Sequence, residues 1–172
     1  DGARFANALV TLDVTPAQMT WQAGIDVLSF GGTKNGCLAA EAVVFFRPEL
    51  VGDFPFLQKR AGQLLSKSRF ISSQFAGYLK DGTWLRNARQ ANAMAQRLSK
   101  GLAALPGIEL AYPTQSNEVF VSMPAVLIER LSAQGLSVND EELDGKAVRF
   151  VAAWNTPESQ VDDLLKVLAD HC

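Results

Sequence analysis

The sequence predicts an α/β protein in two parts, a piece of an α/β sheet domain followed by a small α+β domain. Two observations predict it. In the first third, two apolar runs of strand length flank a glycine-bracketed polar loop. After about residue 80, one long helical stripe leads into short strands that alternate with helices. The boundary is therefore placed there, with residues 1–80 as the sheet piece and 81–172 as the linking helix and the small domain.

The elements follow in order. Residues 1–13 are helical in composition. Thr15-Pro16-Ala17-Gln18 reads as a helix start, with Thr15 as cap, Pro16 at the first position and Gln18 closing a capping box. Gly24 ends that short helix. Ile25 to Phe30 reads as a buried strand broken by Gly31-Gly32, and Ala40 to Phe46 as a second strand stopped at Pro48. From Pro55 to Leu79 the apolar spacing turns helical, through Leu57, Ala61, Leu64, Leu65, Ile71, Phe75 and Tyr78. Asp81-Gly82 breaks it. A longer helix runs from Trp84 to Leu105, with Leu85, Ala88, Ala91, Ala95, Leu98 and Leu102 on one face, until Pro106-Gly107 stops it. Strands follow at Glu109–Tyr112 and Glu118–Met123, then a helix from Pro124 to Gln134 ended by Gly135. A strand from Val148 to Trp154 alternates, with Arg149 on the face opposite Val148 and Phe150. Thr156-Pro157 opens a last helix striped with Val161, Leu164, Leu165 and Leu168.

Composition excludes several classes of function. The chain is 48% apolar and 20% charged, ordinary for a globular protein. A net charge of −2 leaves no basic surplus to draw nucleic acid or an anionic membrane. No apolar run reaches the roughly 18–20 residues of a membrane span. Two cysteines, Cys37 and Cys172, make no disulfide framework, so a cytoplasmic setting is expected. No metal site is expected. The chain opens at Asp1 without a methionine, and its first part has too few strands for an α/β sheet. The expectation is the C-terminal portion of a longer protein.

Lys34 is the centre of the chemical reading. A lysine in a tight Gly-rich loop after a buried strand is held by backbone and partly desolvated, which lowers an amine's pKa and makes it a nucleophile toward an aldehyde. Read from its neighbours alone, it is also a surface lysine on a polar turn. A phosphate-binding P-loop fails, because Gly31-Gly32-Thr33-Lys34 lacks the spaced first glycine and no Ser or Thr follows the lysine. Asp1 is a carboxylate upstream of that lysine, before small Gly2 and Ala3, or else a plain turn residue. Arg4 and Arg149 offer the bidentate fork that suits a substrate carboxylate. For Arg149 a structural salt bridge is the competing reading, and for Arg4 a solvated surface position.

Together the order and flanks of these residues resemble a known family. Asp1-Gly2-Ala3-Arg4-Phe5-Ala6-Asn7-Ala8 and Asp26-Val27-Leu28-Ser29-Phe30-Gly31-Gly32-Thr33-Lys34-Asn35-Gly36 resemble the bacterial low-specificity L-threonine aldolases and the related phenylserine aldolases. The likeness continues through Lys59-Arg60-Ala61-Gly62, Ser66-Lys67-Ser68-Arg69-Phe70 and Val148-Arg149-Phe150-Val151. It implies the C-terminal part of an aspartate-aminotransferase-like large domain that binds pyridoxal 5'-phosphate (PLP), then a small α+β domain. The implied assembly is a homo-oligomer, dimer or tetramer, with active sites between subunits. Lys34 would be the Schiff-base lysine and Asp1 the partner of the pyridine nitrogen. Ser29 and Thr33 would contact ring or phosphate, Arg69 would reach a neighbouring subunit's cofactor phosphate, and Arg4 and Arg149 would bind the substrate carboxylate. The implied activity is cleavage of L-threonine, L-allo-threonine and related β-hydroxy-α-amino acids to glycine and an aldehyde. A phenylserine preference, another PLP lyase and a catalytically silent interaction subunit of the same fold are the alternatives. The family's ring-stacking histidine, its phosphate-holding loop and the histidine near the substrate hydroxyl lie upstream of the aspartate. His171, the sole histidine, reads as an exposed end residue.

Overall fold

The computed structural model describes residues 1–133, 135 and 147–170. The chain divides into two compact units, Asp1–Ala88 and Arg89–Cys172. The division falls inside a helix, between Ala88 and Arg89. The expectations for Gln134, His171 and Cys172 lie outside the described residues.

In the first unit, helix α1 (Phe5–Leu12) ends at Asp13 in the left-handed conformation. The Thr15 capping box forms. Gln18 N donates to Thr15 Oγ1 at 3.3 Å, and Thr15 N donates to Gln18 Oε1 at 2.8 Å. It closes a turn rather than the expected α-helix, and only a 3₁₀ turn, Trp21–Ala23, follows before Gly24. Strands β1 (Val27–Gly31) and β2 (Glu41–Phe45) then pair antiparallel, with Ser29 opposite Val43 and Gly31 opposite Glu41. Gly2 joins β1 from the other side, bridged in parallel to Phe30. β1 is not the buried strand expected. Phe30 faces inward, while Val27, Ser29 and Val43 stand on an exposed face.

The helical spacing over 55–79 yields two helices, α2 (Phe54–Arg60) and α3 (Arg69–Leu79). Between them Gly62 takes φ 71°, which breaks the helix, and Leu64 and Leu65 are exposed. Around Phe30 the unit builds a small aromatic core. Phe30 meets Phe5 edge-on at 5.8 Å and stacks on Phe75 at 5.6 Å, and it lies 6.2 Å from Tyr78 and 6.1 Å from Trp84. Each such pair adds roughly 0.5–1.5 kcal/mol beyond area burial.

Helix α4 (Thr83–Ala103) carries the predicted stripe, with Ala88, Ala91, Ala95, Leu98 and Leu102 buried. In the second unit it supplies one wall of a core. The other walls are a three-stranded antiparallel sheet, order β3 (Glu109–Leu110), β4 (Glu118–Ser122), β5 (Val148–Val151), and helices α5 (Ala125–Ala133) and α6 (Glu158–Ala169). Val119 and Val121 of β4 and Val148 of β5 meet Leu98, Leu102, Leu127, Leu131, Val161 and Leu168 there. The order strand, strand, helix, strand, helix is as the sequence predicts. The strands end one to three residues earlier, and beyond β3 and β5 Ala111 and Ala152 continue the pairing only by single backbone bonds. Among the described residues no helix is long and apolar enough to cross a membrane.

Candidate functional site

The parallel bridge between Gly2 and Phe30 sets the site's frame, because it lays Asp1 alongside the strand that delivers Lys34. The contact is close enough to require glycine. A Cβ on Gly2 would lie 2.2 Å from the Ser29 carbonyl oxygen and 2.7 Å from Leu28 Cδ1. Gly2 O accepts from Gly31 N at 3.3 Å and from Phe5 N at 3.1 Å, tying the segment to the end of β1 and to the start of α1. Side chains alternate along a strand, so Asp1 and Ser29 stand on the face opposite Phe30, and both are exposed. Asp1 Oδ1 accepts from Ala3 N at 2.9 Å, which orients the carboxylate.

Beyond β1 the chain makes a 3₁₀ turn, Thr33–Asn35, that carries Lys34. Lys34 is exposed, so in this chain the desolvation expected of it is not observed. The backbone around it is held instead. Gly32 N donates to Ala40 O at 2.8 Å, and Asn35 N and Cys37 N both donate to Gly32 O at 3.1 Å. Thr33 Oγ1 accepts from Ala40 N at 3.1 Å. Asn35 is buried and sends both amide hydrogens outward, to Tyr78 Oη at 2.7 Å and Trp84 O at 2.8 Å. Asn87 Nδ2 donates to Asn35 O at 2.9 Å. Gln74 Oε1 accepts from Leu38 N at 2.9 Å and Ala39 N at 3.1 Å. Burial pushes the Tyr78 phenol up to about 12, with the Asn35 hydrogen bond pulling the other way. Burial and the nearby Glu41 carboxylate raise the Cys37 thiol. Both groups therefore keep their protons at neutral pH.

A cavity of about 640 Å³ opens beside Thr33, lined by Glu41, Gln63, Ser66 and Ser68 among others. Arg69 begins α3 next to Ser68 and is exposed, as is Lys67. Arg4 precedes α1 and is half-buried. Asp1, Arg4, Ser29, Thr33 and Lys34 all belong to the first unit, with Asp1 set beside β1 by the Gly2–Phe30 bridge and Thr33 and Lys34 in the turn that follows that strand. Arg149 belongs to the second unit. On β5 it faces away from Val148, as its alternation predicts, and its Nη1 pairs with Glu118 Oε1 on β4 at 3.3 Å. The competing salt-bridge reading of Arg149 thus has a partner in the structure.

Sequence reasoning missed Asn35, Gln74 and Tyr78, the residues that clamp the lysine turn. Gln74 and Tyr78 lie one helical turn apart on α3, a spacing that presents both to the same neighbour. The donor types fit PLP chemically: an amine for its aldehyde, a carboxylate for its ring nitrogen, and hydroxyls for its ring or phosphate.

The fold is similar to that of the solved Leishmania major threonine aldolase, with a TM-score of 0.87 and 30% identity, over 99% of this chain and 50% of that one. A solved protein of an Exiguobacterium species shares the fold at a TM-score of 0.71 and 18% identity, over 99% of this chain and 51% of that one. In sequence the chain is 48% identical over 164 residues to a low-specificity L-threonine aldolase of a Pseudomonas species, covering 95% of this chain and 47% of that protein. It is 43% identical over 166 residues to the low-specificity L-threonine aldolase of Pseudomonas aeruginosa, covering 96% of this chain and 48% of that protein. The chain therefore spans about half the length of the curated relatives it matches. A family model described as beta-eliminating lyase matches residues 1–125, which contain Asp1, Arg4, the Lys34 turn and its clamp. On that match, joined to the shared fold, the chain belongs to the beta-eliminating lyase family.

Proposed function

We propose that this chain is the lysine-bearing part of a cytoplasmic, homo-oligomeric PLP-dependent aldolase that cleaves L-threonine, L-allo-threonine and related β-hydroxy-α-amino acids to glycine and an aldehyde. Residues 1–80 are its share of the cofactor-binding large domain, and 81–172 are the linking helix and small domain. One observation carries this reading: a lysine turn fixed at the end of β1, a strand to which Gly2, the residue after Asp1, is bridged in parallel, in a chain nearly half identical to proteins of that activity.

PLP, when bound, supplies an aldehyde to a lysine and a conjugated ring that takes up the electron pair of the broken Cα–Cβ bond. The chain's own residues do the rest. Lys34 is exposed on a fixed backbone, so its amine would be free to leave the cofactor aldehyde when a substrate amine takes its place, and to return afterwards. Asp1, with Oδ1 already held by Ala3 N, would face the pyridine nitrogen and favour its protonated form. Thr33 Oγ1 accepts from Ala40 N and so retains its hydrogen to donate, and Ser29 offers a second hydroxyl on the Asp1 face. Arg69, exposed at the start of α3, would supply a cation to the cofactor phosphate of a neighbouring subunit. Arg4 and Arg149 are each proposed, on the resemblance, to bind the substrate carboxylate, and holding that group would set the angle of the bond to be broken.

Borohydride reduction of the full-length protein loaded with PLP, followed by peptide mass mapping, should place the label on Lys34. A label on Lys59 or Lys67 would sink the assignment. Release of acetaldehyde from L-threonine should exceed release of benzaldehyde from phenylserine. The reverse would assign the aromatic substrate instead.

A further inference from the structure

We propose that Asn35 is a positioning residue for Lys34, acting through a clamp with Tyr78 and Trp84; the inference rests on the reading of Lys34 given above. A lysine that must release its partner and later take it back needs a mobile side chain on an immobile Cα. The structure provides both. The Lys34 side chain is exposed, while the residues on either side of it are tethered. Thr33 is held through Ala40 N at 3.1 Å. Asn35 is only 3% exposed and is tethered at three points, by its two amide hydrogens and by its carbonyl oxygen.

The partners come from far along the chain, Tyr78 on α3 and Trp84 and Asn87 on the first turns of α4. The position of the lysine backbone is therefore set by helices as well as by the turn's own bonds. An amide is the group that suits this place. One nitrogen carries two hydrogens, and two acceptors lie 2.7 Å and 2.8 Å away. A carboxylate of the same shape has no hydrogen for the Trp84 carbonyl and would face it oxygen to oxygen. Tyr78 meets Asn35 as a neutral phenol, since its ionised form is disfavoured by burial.

The test uses the full-length protein loaded with PLP. Asn35→Ala, Asn35→Asp and the milder Tyr78→Phe are compared with wild type for the rate of borohydride labelling at Lys34 and for the pH midpoint of the visible cofactor band. Thermal melts run beside them. Asn35→Ala and Asn35→Asp should slow labelling roughly tenfold or more, the scale of losing one or two buried hydrogen bonds. They should also move the pH midpoint. Tyr78→Phe keeps the bond to Trp84 and should fall between them and wild type. If Asn35→Ala does not fold, Tyr78→Phe carries the test. Labelling at the wild-type rate with an unmoved midpoint, in variants whose melting temperature alone has dropped, overturns the proposal and leaves Asn35 a structural residue. Failure of wild type itself to label at Lys34 overturns the reading of the lysine, and the positioning role with it.

Discussion

Gly101 lies inside α4, where alanine would ordinarily be the better residue. Replacing glycine by alanine in a helix interior gains about 1 kcal/mol from propensity alone. The packing opposes this. A Cβ at position 101 would lie 2.3 Å from Leu165 Cδ1, 2.6 Å from Cδ2 and 3.0 Å from Cγ. Turning the end of the leucine would move the two methyls but leave the branch carbon at 3.0 Å, still tighter than an ordinary contact. Either Leu165 must leave its rotamer or α6 must shift from α4. Overpacking of this kind costs roughly 1–3 kcal/mol. The clash wins, and Gly101→Ala should destabilise by about 1 kcal/mol net, or about 2–4 °C in melting temperature for a protein of this size class. The sharper expectation is a reversal of sign. In a Leu165→Ala background the obstruction is gone, and the same substitution should stabilise by up to about 1 kcal/mol. Urea unfolding of the four proteins of this cycle measures the coupling. A Gly101→Ala variant more stable than wild type, or equal effects in both backgrounds, would refute the close-packing argument.

Leu131→Ala, at 1% exposure in the second unit's core, should cost about 2.7–5 kcal/mol by denaturant unfolding, and a loss under 1 kcal/mol would mean the core collapses into the gap. Arg149→Lys should lower catalytic efficiency with L-threonine by about one to two orders of magnitude and leave PLP titration unchanged, because lysine keeps the charge and loses the fork. A fall in melting temperature with unaltered kinetics would make Arg149 a structural residue, as its pair with Glu118 allows. The Tyr78 phenol, raised from 10 to about 12, adds stability that is complete below about pH 10 and is lost as pH climbs toward about 12. Ultraviolet phenolate absorbance against Tyr78→Phe follows this directly, and ionisation near pH 10 in a folded protein would contradict it.

Much of the fold was legible because it is periodic. The α4 stripe and the alternation around Arg149 depend only on which face a residue takes, and spacing reports that. The Thr15 capping box was legible as a pair of hydrogen bonds but not as a helix, since the bonds form within four residues whatever follows them. The break between α2 and α3 was hidden because Leu57, Ala61, Leu64 and Leu65 keep helical spacing across Gly62, whose left-handed backbone ends the helix regardless. In the site, the chemical residues stood within contiguous motifs. The clamp did not: Asn35 and Tyr78 are 43 positions apart, and the buried bond between them leaves no trace in either's neighbours.

The second unit's core has a consequence for biosynthesis. Leu98 and Leu102 of α4 are shielded partly by Val161 and Leu168 of α6, about sixty residues later. A ribosome adds roughly 5–20 residues per second, so the α4 stripe leaves the tunnel several seconds before its cover exists. Through that interval the helix offers a row of apolar side chains to any chaperone, or to the same row on a second nascent chain. The β4–β5 pairing must likewise wait for a loop of about thirty residues to close. A pause in translation before α6 would lengthen the exposure, and a faster decoding of residues 104–168 would shorten it without changing one contact of the finished protein.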